Sequence, residues 1–128
     1  AKKQDLLQII DNLDSQIFRC QKDNENEYII TFNEGNIAEF NHITTAKIKN
    51  KRIRDIIGEE LYNLLEPFYK EAFDGKVAKY RGFEFNGQIY STLLSPFKKD
   101  KNGNVIEAVG ITQEITEITT GKLALEEE

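Results

Sequence analysis

Gln88-Ile-Tyr-Ser-Thr-Leu-Leu-Ser-Pro-Phe97 and, after a charged turn, Val105-Ile-Glu-Ala-Val-Gly-Ile-Thr112 decide the fold of this chain. Both runs are rich in apolar and β-branched residues and bounded by turn formers, so both are expected as strands. Successive side chains of a strand point to opposite faces. In the first run Ile89, Leu93 and Phe97 share one face, and Tyr90, Thr92 and Leu94 the other. In the second, Val105, Val109 and Ile111 share one face, and Ile106, Ala108, Gly110 and Thr112 the other. Neither face is plainly polar, and a sheet that is apolar on both sides has to be covered on both.

Working outward, Asn86-Gly87 is the strongest hairpin signal in the chain and ties the first run to an upstream strand over Val77–Phe85. Near the start, Gln16–Cys20 and Tyr28–Phe32 read as two more strands across the polar turn Lys22–Glu27. Between the strand groups lie helices. Asn36, with Glu39 three residues on, has the pattern of a capping box for a short helix whose apolar side is Ile37, Ala38 and Phe40. A helical turn starting at Thr44 or Thr45 runs to Ile48, and the segment Ile53–Ile57 ends at Gly58. A longer helix is expected from Glu59 to Phe73, with Leu61, Leu64, Leu65, Phe68, Ala72 and Phe73 on one face, a kink or restart at Pro67, and a stop at Gly75. Residues Lys2–Leu13 place Leu6, Ile9, Ile10 and Leu13 at helical spacing. The expected class is α+β, a five-stranded antiparallel sheet with helices on one face. The N-terminal amphipathic helix, or a second copy of the chain, is the natural cover for the other face.

Length and composition narrow the function. A chain of 128 residues suits one domain. Seventeen basic against 22 acidic side chains give a net charge of −5, a poor match to nucleic acid. No apolar run reaches the roughly 18 residues of a membrane span, and no secretory leader is apparent, which favours the cytoplasm and no membrane contact. A single cysteine, Cys20, excludes an internal disulfide or a cysteine-cluster metal site, and a single histidine, His42, leaves little room for a histidine-based triad or metal centre.

The remaining candidates each have an ordinary alternative. Asp55, Glu59, Glu60 and Glu66 are interspersed with basic residues, as on a solvated helix face, and general acid–base work is the weaker reading. Lys47, Lys49, Lys51, Arg52 and Arg54 form either an anion site or a solvated loop. Gly82, Gly87 and Gly103 are isolated and make no phosphate loop. Ala108, Gly110 and Thr112 put small residues in a row toward the helices. The room they leave is either filled by Phe40, Phe68 and Phe73 or kept as a cavity for a small molecule.

Five segments, taken in order, resemble the PAS fold of bacterial sensor proteins. They are Tyr28-Ile-Ile-Thr-Phe-Asn-Glu-Gly35, Ala72-Phe-Asp-Gly75, Leu94-Ser-Pro-Phe97, Asp100-Lys-Asn-Gly103 and Val109-Gly-Ile-Thr-Gln-Glu-Ile-Thr-Glu117. The last is similar to the closing Asp-Ile-Thr-Glu signature, with Glu114 in place of the aspartate. The resemblance covers about residues 15–117 and implies three parts: a flanking helix over 1–14, the PAS domain over 15–117, and the start of a linker helix over 118–128. It implies a sensory or dimerisation module, not an enzyme, upstream of a histidine kinase or diguanylate cyclase. The expected pocket is walled by Phe40, Phe68, Phe83, Phe85, Leu94, Ala108 and Gly110, with Tyr80 and Arg81 nearby, and the resemblance places Tyr90, Thr92 and Thr112 on its face as polar groups. Glu114, Ile115, Thr116 and Glu117 form the signal junction, and Leu6, Ile9, Ile10 and Leu13 the dimer or flanking helix. A flavin-adduct photosensor of this fold has its cysteine in an Asn-Cys-Arg-type helix motif, absent here, and a haem PAS takes its histidine from a later helix than His42, so neither cofactor is expected. The alternatives are a ligandless dimerisation spacer and a small α+β enzyme with a cone-shaped pocket, in which Tyr90 would pair with Glu84 or Glu114.

Overall fold

Ten elements follow one another in a computed structural model that describes residues 15–115. They are β1 (Ser15–Lys22), β2 (Tyr28–Glu34), α1 (Asn36–Phe40), α2 (Thr45–Ile48), β3 (Lys51–Arg52), α3 (Ile53–Ile57), α4 (Glu59–Phe73), β4 (Ala78–Phe85), β5 (Gln88–Lys99) and β6 (Val105–Glu114). The expected helix through Leu6, Ile9, Ile10 and Leu13, the junction residues Thr116 and Glu117, and the linker over 118–128 lie outside the described residues.

The strands form one antiparallel sheet in the order β3-β2-β1-β6-β5-β4. It has six strands, not five. The extra one, β3, is only Lys51 and Arg52 pairing with Ile30 and Ile29, too short to carry an alternation. The first and last strands lie side by side at the centre, and Ser15 is the register partner of Gln113. The chain therefore enters and leaves the sheet at neighbouring positions.

Turn chemistry sets the ends of the strands. Asn86 and Gly87 both have positive φ, 51° and 81°, as a two-residue type I′ hairpin requires. The loops at Asp23 and Asp100 share a design: each carboxylate accepts two backbone N–H groups, from Glu25 and Glu27 and from Asn102 and Asn104. Those bonds hold both carboxyls below the usual range.

The helices pack on one face of the sheet. Helix α4 has the expected limits, but its buried stripe is Tyr62, Leu65, Tyr69 and Ala72. Leu64, expected inward, is 67% exposed. Two tyrosines take the positions that an aliphatic count assigns elsewhere, because their rings bury apolar area, and the Tyr69 hydroxyl meets that of Tyr80. Pro67 removes one helix donor, yet α4 continues through it as one element. The capping box at Asn36 does not form: Gly35, at φ 123°, takes the cap position, and no side chain caps α1. A Cβ on Gly35 would collide with the backbone of Ser15, so the close approach of this turn to β1 requires glycine.

Two bulges reset the side-chain parity. In β2 the register passes from Cys20↔Ile30 to Arg19↔Phe32, leaving Thr31 extra. Tyr28 and Ile30 face the helices before the bulge, and Asn33 does after it. In β4 the register skips Gly82, whose φ is +73°, so Tyr80 and Phe83 both face inward.

Candidate functional site

Between the sheet and helices α1–α4 lies a cavity of about 60 Å³. Its walls are mostly aliphatic and aromatic, with Phe18, Ile30, Ile37 and Leu65 prominent. A polar row crosses its floor. Gln16 on β1, Thr112 on β6, Thr92 on β5 and Tyr80 on β4 are successive register partners across four strands, and all four line the cavity. The Thr92 and Thr112 hydroxyls are 2.7 Å apart, and the Tyr80 and Tyr69 hydroxyls 3.2 Å. Burial pushes the Tyr80 phenol up to about 12, held back by hydrogen bonds from Tyr69 and Thr92. Burial likewise raises Tyr69 well above the ordinary tyrosine value. These phenols stay protonated and serve as fixed hydrogen-bonding groups.

Two asparagines tie the helical side to the sheet. Asn33 donates from its backbone N–H to the Thr45 hydroxyl at 2.8 Å and from Nδ2 to the Ile43 carbonyl at 2.8 Å. Asn41 donates from Nδ2 to the Tyr90 hydroxyl at 3.1 Å and accepts from Asn86 Nδ2 at 3.0 Å. Tyr90 thus lies on the cavity wall with its hydroxyl held by Asn41, just after α1, and its register partner is Glu114 at the exit from β6.

Of the residues expected to form the pocket, Phe83, Phe85, Tyr90, Thr92 and Thr112 line the cavity. Leu94 and Ala108 are fully buried in the core, and Phe68 packs against that core, its ring 5.0 Å from that of Tyr80. Phe40 is 60% exposed and lines a separate outer groove with Gln88, Tyr90 and Glu114, because α1 buries Ile37 and Ala38 instead. The space above Gly110 is filled, and from the sheet itself: the Phe18 ring, on its register partner strand, occupies the place a Cβ on Gly110 would take. Strict alternation does not disclose Gln16 and Asn33, since Gln16 begins a strand and Asn33 faces inward only because of the bulge.

Reactive groups lie elsewhere. Cys20 is buried outside the cavity lining, and burial pushes its thiol up to about 12, which makes it an inert packing group. His42 is exposed. Among the described residues the lining contains no cysteine, histidine or charged side chain, and the cavity volume is far below the roughly 300–1,000 Å³ of pockets that hold drug-sized ligands. Glu84 alternates with the inward Phe83 and Phe85 and is exposed, so it does not meet Tyr90. Arg52 and Arg54 of the basic cluster are taken up by ion pairs, with Asp23 and Glu25 and with Glu27 and Glu59. Among the described residues no group of histidine, cysteine and carboxylate side chains is arranged to hold a metal, and no helix is long and apolar enough to cross a membrane.

The opposite face of the sheet exposes Leu93, Phe97 and Ile111. At its centre the Glu107 carboxylate, 2% exposed, is paired with Arg19, whose guanidinium lies 5.2 Å from the Phe97 ring centre. An apolar surface built around a satisfied ion pair is suited to be covered.

No protein-family model and no curated protein matches the sequence. Solved structures do. The PAS domain of BvgS from Bordetella pertussis is 16% identical, with 98% of this chain and 95% of that one covered and a TM-score of 0.62. The sensory box sensor histidine kinase of Vibrio cholerae is 13% identical over 90% of this chain and 93% of that one, with a TM-score of 0.58. The LOV protein of Rhodobacter sphaeroides is 13% identical over 98% and 74%, with a TM-score of 0.63. These likenesses are of fold, and the chain has the α+β PAS fold.

Proposed function

We propose that this chain is a non-catalytic sensory domain whose cavity takes a small molecule and whose state is passed to segments beyond the sheet. One observation carries the reading. The cavity-facing Gln16 and Thr112 are register partners on the two central strands, within two residues of Ser15 and Glu114, where the chain enters and leaves the sheet. A ligand ordering these two side chains changes the strand ends on which both flanking segments depend. The mechanism is a population shift: the ligand favours one packing of the strand ends in proportion to its preference for that packing. Glu114 and Ile115 are the first residues to feel it. On this reading the C-terminal segment leads to an effector of the histidine kinase or diguanylate cyclase kind, in the cytoplasm.

The apolar outer face supports a dimer, covered by the partner copy together with the helix expected through Leu6, Ile9, Ile10 and Leu13. Phe97→Asp should convert that dimer to monomer in sedimentation velocity, and an unchanged assembly would count against the interface.

A thermal-shift screen of small uncharged compounds tests the ligand reading. At about a hundred times its Kd, a ligand specific for the folded state adds roughly 2.7 kcal/mol and should raise the melting temperature by about 10 °C or more for a domain of this size. If no compound moves the transition, the ligandless dimerisation spacer is the better account.

A further inference from the structure

The polar atoms of the cavity are not evenly matched. Gln16 and Asn33 each bury a side-chain carbonyl oxygen that has no hydrogen-bond partner among the described residues, and both residues line the cavity. Asn33 is 3% exposed. Its amide is fixed one way round, because the Ile43 carbonyl can face only the NH2 end, and that bond is 2.8 Å long. Its backbone is held as well, with N–H donated to the Thr45 hydroxyl and C=O accepting from it. The bare oxygen therefore cannot turn away to find a partner. The Thr92 and Thr112 hydroxyls are hydrogen-bonded to each other, and neither donates to these two oxygens. What the cavity lacks is donors for two acceptors.

The rest of the lining limits what can bring them. Among the described residues no lysine, arginine, histidine, aspartate or glutamate side chain lines the space, so an ion would be buried there without a counter-charge from them. At about 10–15 Å³ for each water-sized sphere, the volume admits about four to six non-hydrogen atoms. We propose that the cavity selects an uncharged molecule of that size with an aliphatic body and a polar end carrying two hydrogen-bond donors, a primary carboxamide being the simplest form. The inference rests on the reading of this cavity as a ligand site and adds the chemistry of the ligand. The two N–H groups meet Gln16 Oε1 and Asn33 Oδ1, and the aliphatic body lies against Phe18, Ile30 and Ile37.

Three molecules of nearly the same shape separate the possibilities: isobutyramide, 3-methyl-2-butanone and isobutyrate. They are uncharged with two donors, uncharged with none, and anionic. Each is titrated into the 15N-labelled protein to about 50 mM, the range in which ligands this small bind. Isobutyramide should shift the side-chain amide signals of Asn33 and Gln16 and bind roughly tenfold tighter than the ketone, which displaces water from two acceptors without replacing its bonds. Isobutyrate should not bind. Gln16→Met should reduce the preference for amide over ketone to roughly threefold, since one acceptor remains. Equal binding of amide and ketone, or binding of the anion, overturns the proposed chemistry while leaving the cavity a ligand site. Failure of all three to bind, with the space held by water alone, overturns the ligand reading and this inference with it.

Discussion

Gly110→Val should destabilise the domain by about 3 kcal/mol or more, at the upper end of what overpacking costs. The expectation follows from what fills the sheet above Gly110. The Phe18 ring, from the register partner on β1, lies where a Cβ would stand. Phe18 is itself buried, with its ring centre 6.4 Å from that of Tyr69, and it forms part of the cavity wall. A valine at 110 must push the ring toward the cavity or push β6 away from the helices. Gly110→Ala should show the same effect at smaller size. Urea denaturation measures both, and a valine variant within 0.5 kcal/mol of wild type would contradict the packing described.

The second large effect is alkaline. Cys20 and Tyr80 are buried as neutral groups, and burial moves the thiol from 9.0 to about 12 and the phenol from 10.0 to about 12. In the unfolded chain both ionise at their ordinary values, while in the folded chain both keep their protons until about pH 12. Over that window the unfolded state binds fewer protons, so stability falls as pH rises. The contribution is intact below pH 9. At about 1.4 kcal/mol per pH step for each ionising group, the loss should reach roughly 4 kcal/mol between pH 9 and pH 11. Tyr69 acts in the same direction. Urea midpoints measured across this range should fall steeply, and Cys20→Ala should fall less steeply even if its stability at pH 7 is lower. A flat profile from pH 9 to pH 11 would show that these groups are not buried as described.

The parts of the fold that the sequence made legible are those where period and turn chemistry act locally. The limits of α4, the Asn86-Gly87 hairpin and the two-sided apolarity of β5 and β6 all follow from spacing. The site was less legible because it depends on departures from spacing. Strict alternation from Tyr28 and Ile30 puts Phe32 inside, and the bulge at Thr31 puts Asn33 there instead. The small residues Ala108 and Gly110 suggest empty space, but whether a ring from the next strand fills it depends on register, which a lone strand does not disclose. The fixed amide of Asn33 depends on Ile43, ten residues away in the segment between two short helices. Bulges have a local signal only where a glycine marks them, as Gly82 does and Thr31 does not.

On this reading the space between sheet and helices is a ligand site with an acceptor pole at Gln16 and Asn33. A high-resolution crystal structure grown in isobutyramide tests it most directly. Density for the amide nitrogen is expected within hydrogen-bonding distance of Gln16 Oε1 and Asn33 Oδ1, with the isopropyl group against Phe18. Ordered water alone at those two oxygens, or a cavity closed by rearranged side chains, would contradict it.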